Sequence, residues 1–240
     1  LPIWRERWRR LNGAATQQTE ADLQCAKHSA EQAQGLSEQA LPEALKQLSQ
    51  RLRFAGALVP EAGPERRAWF DLRAQLLGLW CASAQRVLGL KAHDTQIRAA
   101  LEMHNGHLVQ LAPGEGKTLA IGLTAALYAS AGRPCHVITA NDYLAARDAE
   151  LMAPLLAQAG WHAVSVTSDT PPEALATGYA AEVVYATGKQ LLADHLRDDL
   201  LLGGTKDPMG RRLWEMKRSG QQSRPVGRGL WVAIVDEADS

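Results

Sequence analysis

Two short stretches hold the residue types of this 240-residue chain best suited to chemistry. The first is Gly114-Glu-Gly-Lys-Thr118, led in by Val109-Gln-Leu-Ala-Pro113 and followed by the helix-like run Leu119 to Ser130. Glycines at 114 and 116 let backbone N–H groups approach an anion. A helix starting at Lys117 would add its unpaired donors and positive dipole end. Lys117 would reach the outer phosphates of a nucleotide and Thr118 would hold Mg²⁺. Leu111 stands where the full phosphate-loop pattern has its first glycine. The second stretch is Leu230-Trp-Val-Ala-Ile-Val-Asp-Glu-Ala-Asp239, an apolar strand closed by acids. Asp236 would orient a metal and its water shell, and Glu237 would polarise an attacking water. A solvated strand cap is the plainer reading of Asp-Glu after a strand, and the phosphate loop upstream outweighs it. Glu115 has no evident catalytic use, since an acid there meets phosphate repulsion. Gln96 lies ahead of the loop. Its amide can pair both the donor and the acceptor of an adenine edge, although a single Gln at a helix start usually reads as surface. His104 and His107 could bind a metal, but lack a third ligand nearby and read as loop histidines.

These groups need an alternating framework to hold them. Apolar runs read as strands over His107–Leu111, Arg133–Thr139, His162–Thr167, Glu182–Ala186 and Leu230–Val235. Helices read over Asp142–Ala159, with Asn141 as cap, and over Gly188–Leu201. A further helix opens near Ala92, with Asp94 or Thr95 as its cap. Strands alternating with helices imply a parallel sheet flanked by helices. Such sheets bind ligands at the carboxyl ends of their strands, where Gly114–Thr118, Thr139, Thr187 and Asp236–Asp239 all fall. The fold class is therefore α/β, a P-loop sheet preceded by an N-terminal helical segment. That segment holds Leu41, Leu45, Leu48 and Leu52 at helical spacing. Next comes a Pro/Gly loop at 59–64 and a strong helix over Glu65–Leu88, whose Trp69 and Trp80 stripe reads as core. Residues 12–35 read as helix or linker. The organisation reads as a helical segment or linker over 1–62 and a nucleotide-binding domain over 63–240, incomplete at its C-terminal end.

Composition excludes little. Lys plus Arg and Asp plus Glu balance at 26 each, so nothing demands a nucleic-acid or membrane partner. Locally, residues 1–11 carry four Arg against one Glu, and residues 203–229 carry seven basic residues against two acids in a Gly/Pro/Ser-rich loop. Leu1, Trp4, Trp8 and Leu11 share a helical face. That suits anionic lipid or a partner, but packing of the two Trp on their own domain is the favoured reading. Three scattered cysteines form neither a metal pattern nor a disulfide framework, which fits a reducing compartment. No apolar run approaches the ~20 residues of a membrane span, and no signal peptide is evident. Lacking an initial Met and stopping just past Asp239, the chain reads as part of a longer protein.

Asp94-Thr-Gln96, Gly114-Glu-Gly-Lys-Thr118, Val137-Ile-Thr-Ala-Asn-Asp-Tyr-Leu-Ala-Ala-Arg-Asp-Ala-Glu150, Leu196-Arg-Asp198 and Val235-Asp-Glu-Ala-Asp-Ser240 together resemble the SecA preprotein translocase ATPases. The likeness covers about residues 64–240, and Thr139-Ala-Asn-Asp-Tyr-Leu144 is its most specific part. It implies a first RecA-like, DEAD-type motor domain with ATP and Mg²⁺ as cofactors. It carries the adenine contact to Gln96, the phosphate loop to Gly114–Thr118, and the metal and water-activating acids to Asp236 and Glu237. It also implies an ATPase that pushes unfolded preprotein through a membrane channel, from the cytoplasm and peripheral to a bacterial inner membrane. A homodimer is left open, and no specific nucleic acid is expected. Ala112-Pro113 replace the family's usual Arg-Thr, removing a cation, a hydroxyl and a backbone donor. The chain thus resembles a divergent or accessory member. Because the resemblance places the stabilising arginines in a second RecA-like domain, the segment alone is expected to bind nucleotide weakly and hydrolyse it negligibly. The alternatives are a DEAD-type nucleic-acid helicase motor and a degenerate nucleotide-binding scaffold.

Overall fold

The sequence rhythm breaks into eight helices and four strands among the residues that the computed structural model describes, namely 2–55, 63–202, 225–227 and 229–238, with side chains from residue 17 onward. They form two compact units: Leu1–Arg133 with Pro154–Gly160, and Pro134–Ala153 with Trp161–Ser240.

The first unit is helical. Helix α1 (Pro2–Gln34) is continuous, so the weakly patterned stretch 12–35 is helix up to Gln34 and not linker. It packs on α3 (Gly63–Leu88). The two approach closely at Gly78, where an added Cβ would lie 2.3 Å from the Ala26 carbonyl oxygen. Ser29 Oγ donates to the Gln75 carbonyl at 2.8 Å beside this crossing. Arg73 and Asp22, both fully buried, form an ion pair between the same two helices. Arg73 also donates to Asn105 Oδ1 at 2.5 Å and lies over the rings of Trp69 and Phe70. Burial of Trp69, Leu72, Leu76, Leu77, Trp80 and Ala84 makes the predicted α3 stripe core. Helix α2 (Ala40–Ala55) buries Leu41, Leu45, Ser49 and Leu52. Its Arg53 donates to the Ala129 and Ser130 carbonyls at 3.2 and 3.1 Å, capping the last turn of α5 (Lys117–Ser130).

The second unit holds a parallel sheet of β1 (Cys135–Thr139), β2 (Ala163–Val166), β3 (Val183–Thr187) and β4 (Val232–Val235), in the order β2-β3-β1-β4. Residue Thr139 pairs with Thr187, and Ile138 with Val235. One face is sealed by Leu175 and Tyr179 of α7 (Pro172–Tyr179) and Leu191 of α8 (Gly188–Leu201), packed with Val166, Val184 and Ala186. Asn141 caps α6 (Asp142–Ala157), as its side chain accepts the Leu144 N–H at 2.9 Å.

Four strands replace the five expected. Residues 107–111 form no strand, and Leu108 is 91% exposed. The run leaves the end of α4 (Asp94–His104) tied to that helix, for the His107 N–H donates to the Glu102 carbonyl at 3.0 Å and its ring meets Glu102 Oε2 at 2.5 Å. Alternating apolar residues create strand propensity, but a strand exists only where a ladder partner accepts it. The α4 start also differs from the sequence reading. Its N-cap is His93, not Asp94 or Thr95, because Gln96 Oε1 accepts the His93 N–H at 2.8 Å and pulls the first turn forward.

Candidate functional site

In the first unit, the phosphate-loop residues form a tight turn opening directly into α5. Gly114 and Gly116 sit at φ 85° and 74°, in the left-handed region open to glycine at little steric cost. Gly116 is the N-cap of α5, so Lys117 and Thr118 form its first turn. An added Cβ on Gly116 would also lie 2.3 Å from Gln96 Nε2. Residues 112–117 are exposed. The start of a 14-residue helix therefore meets solvent through a glycine turn, a geometry that attracts anions by its donors and dipole.

Ala112 and Glu115 close the loop between them. The Glu115 N–H donates to the Ala112 carbonyl at 3.1 Å, and the Ala112 N–H donates to Glu115 Oε2 at 3.1 Å. The acid therefore points back along the loop.

Gln96 is buried. Its Oε1 holds the His93 N–H, and its Nε2 donates to the Glu115 carbonyl at 2.7 Å. A single Gln at a helix start reads as surface and the resemblance makes it a base contact; the structure instead buries it and adds a tie from α4 to the phosphate loop. A primary amide carries two N–H donors and two acceptor lone pairs, so one of each remains for a base edge. The residues present thus fit a nucleotide's phosphates and an adenine edge.

In the second unit, β4 delivers the acid pair. The Asp236 N–H donates to the Ile138 carbonyl at 2.9 Å, extending the β1–β4 ladder by one rung. Asp236 is half-buried and Glu237 exposed. Glu237 has φ 54°, unusual for a residue with a side chain, and its N–H donates to Asp236 Oδ1 at 2.9 Å. Asp239 lies outside the described residues.

Sequence reasoning misses other residues of this unit. Arg147 of α6 is bound to buried Asp148 through Nε and Nη2, at 2.8 and 2.7 Å. The Asp148 hydrogen bond is the main cause that raises its pKa, and the charge of Asp236 adds to it. Buried Asp194 accepts from Tyr179 Oη and Gln190 Nε2, both at 2.8 Å, and from Arg197 at 2.6 Å. Helical spacing alone marks Asp194 and Asp198 as one face. It does not show that the face turns inward.

His104 lies in the last turn of α4, not in a loop. Its ring stacks on Tyr128 at 4.3 Å between centroids and tilts over Trp69 at 5.8 Å. Burial first, and Arg73 second, lower its pKa to about 3. His107 pairs with Glu102 instead. No group of three or more metal-ligating side chains occurs among the described residues.

The sequence profile described as the SecA DEAD-like domain matches residues 5–240. The chain belongs to the SecA DEAD-like domain family. Similar proteins include the protein translocase subunit SecA 2 of Chlorobium chlorochromatii (strain CaD3), 43% identical over 166 residues, which cover 68% of this chain and 25% of that protein. The protein translocase subunit SecA 2 of Magnetococcus marinus is 38% identical over 211 residues, 86% of this chain and 31% of that one. The protein translocase subunit SecA 2 of Bordetella avium (strain 197N) is 42% identical over 183 residues, 71% of this chain and 27% of that one. The matched segments thus span 25% to 31% of these SecA relatives. The SecA DEAD-like match starts at residue 5, so the likeness includes α1 and is not confined to about residues 64–240.

Proposed function

We propose that the chain is the ATP-binding motor domain of a SecA-like protein-translocating ATPase. The whole protein would couple ATP hydrolysis to moving unfolded polypeptide across a membrane. One observation carries the reading: two positive-φ glycines lead into the exposed start of α5, in a chain matched to the SecA DEAD-like domain. Gly114, Glu115 and Gly116 offer backbone donors to phosphates, and Lys117 offers a cation. By the resemblance, Thr118 and Asp236 are each a residue that would serve Mg²⁺. Glu237 polarises water, and Gln96 reads the base edge. ATP supplies the phosphoryl group that water receives. The protein's part is to position that group and stabilise its charge. The motor domain runs over 63–240, and residues 1–62 precede it as a helical segment.

The relatives are named as subunits of a protein translocase. By that likeness the partners are a membrane channel and unfolded preprotein, met at the cytoplasmic face of a bacterial inner membrane. No described helix is long and apolar enough to cross a membrane. The lipid reading of residues 1–11 concerns side chains outside those described, as do residues 203–224 and 228 of the basic loop.

The test is ATP turnover by the full-length protein. Unfolded precursor with channel-bearing membranes should stimulate it, and Lys117→Ala should abolish the stimulated rate. Stimulation by RNA or DNA alone would overturn the translocase reading in favour of a helicase.

A further inference from the structure

Strand β4 is weakly held along its own length. It has four residues and a single ladder partner among the described residues, β1. Only Ile234 is buried, while Trp231 and Val235 are more than half exposed. A strand with one ladder and one buried side chain has little to fix its position along that ladder. It nevertheless carries Asp236, whose placement the proposed metal role demands.

A second anchor, beside the rung from the Asp236 N–H to the Ile138 carbonyl, lies just upstream. Asp198, near the end of α8, is 5% exposed. Its Oδ1 accepts the Val226 N–H at 2.8 Å and its Oδ2 accepts the Gly227 N–H at 2.7 Å. Both carboxylate oxygens are thus committed to consecutive backbone amides, five and six residues before β4 begins. Val226 packs its side chain into the α7–α8 cluster on the sheet. Gly227 leaves room for the approach, as an added Cβ would lie 3.2 Å from Asp198 Oδ2. Hydrogen bonds to a charged acceptor are stronger than neutral ones, and two on one buried carboxylate define an orientation.

We propose that Asp198 is a positioning residue for the acid pair: its two-amide clasp fixes the chain leading into β4 and so sets where Asp236 and Glu237 stand. The inference rests on the metal role proposed for Asp236. Leu196-Arg-Asp198, read in the sequence as a family motif only, thereby acquires a mechanical use. Asp194, one turn earlier, ties α8 to α7 through Tyr179 and gives the clasp a fixed base.

The experiment compares wild type, Asp198→Ala, Asp198→Asn and Asp198→Glu in the full chain. Amide hydrogen exchange is followed peptide by peptide, and a fluorescent ATP analogue is titrated with and without Mg²⁺. The isosteric Asn keeps one acceptor and guards against a variant that fails to fold. In Asp198→Ala, exchange at residues 232–236 should accelerate by roughly tenfold or more, the scale of one lost charged hydrogen bond. Peptides covering 175–191 should be unchanged. The Mg²⁺ concentration for half-maximal binding should rise several-fold, while Mg²⁺-free binding stays as in wild type. Asp198→Asn should fall between wild type and Asp198→Ala. Unchanged exchange at 232–236, or acceleration spread evenly over the unit, would overturn the clasp. An unmoved Mg²⁺ half-point would overturn its link to the acids. Asp236→Asn serves as the separate control: if it too leaves the Mg²⁺ half-point unmoved, the metal role of Asp236 fails and the positioning role falls with it, whatever the exchange pattern.

Discussion

Gln96 provides the sharpest test of how the phosphate loop is held. Two hydrogen bonds of this buried side chain can be separated by mutation. Gln96→Ala removes both and leaves the His93 N–H and the Glu115 carbonyl without their partner. At about 1 kcal/mol for each neutral bond, the loss is about 2 kcal/mol. For a chain of this size that corresponds to a fall of roughly 4–8 °C in Tm. Gln96→Glu is more informative. It retains an oxygen for the His93 N–H, so the start of α4 stays capped. It replaces the donor to Glu115 with a lone pair facing a carbonyl, so the loop tie is lost. Gln96→Glu should therefore lower nucleotide affinity and cost at least as much stability as Gln96→Ala at neutral pH, because its buried carboxylate faces the Glu115 carbonyl. Differential scanning calorimetry reads the stability, and titration calorimetry with ATP and GTP reads the affinity. Both variants should narrow the preference for ATP over GTP. Wild-type affinity and base preference in Gln96→Glu would refute both the tie and the base contact.

Three other outcomes follow from the same geometry. Asp22→Ala strands the buried Arg73 guanidinium and should cost about 3–5 kcal/mol, read as a drop in denaturant midpoint, whereas an effect under 1 kcal/mol would contradict the burial of the pair. Because the folded-state pKa of His104 is depressed to about 3, the unfolded chain binds a proton at this site between about pH 6.5 and 3 that the folded chain does not; stability should therefore fall with pH across that window, by up to about 1.4 kcal/mol per unit, and the slope should shrink in His104→Phe when unfolding is measured from pH 7 to 4. Glu237→Gly relieves a left-handed residue and should raise stability by up to about 1 kcal/mol while abolishing stimulated ATP turnover in the full-length protein, a pairing that separates strain from chemistry.

The sequence shows the alternating core well, because each of the four strands is a compact apolar run, and β1 and β3 lead into helices with side-chain caps. Asn141 is a legible cap, whereas Thr187, read only as a strand end, also caps α8 as its Oγ1 accepts the Gln190 N–H at 3.2 Å. The α3 stripe is equally plain. Other features depend on tertiary partners. His107–Leu111 has strand composition without a ladder. His93 becomes the α4 cap only because Gln96 reaches back to it. Continuity of α1 through 12–35 comes from packing on α3 at Gly78, which its weak pattern does not announce. At the site, the glycines and acids are visible as residue types. The Gln96 tie, the Asp198 clasp and the Arg147–Asp148 pair are contacts between elements distant in sequence or turned inward, and spacing alone carries no record of them.

Calorimetric titration of the chain with MgATP, beside Lys117→Ala, tests the central claim most directly. Saturable binding of one nucleotide, weakened at least about tenfold by the loss of a charged phosphate contact and weaker for GTP, is the predicted result. Absence of saturable binding, or equal affinity in Lys117→Ala, would contradict the account.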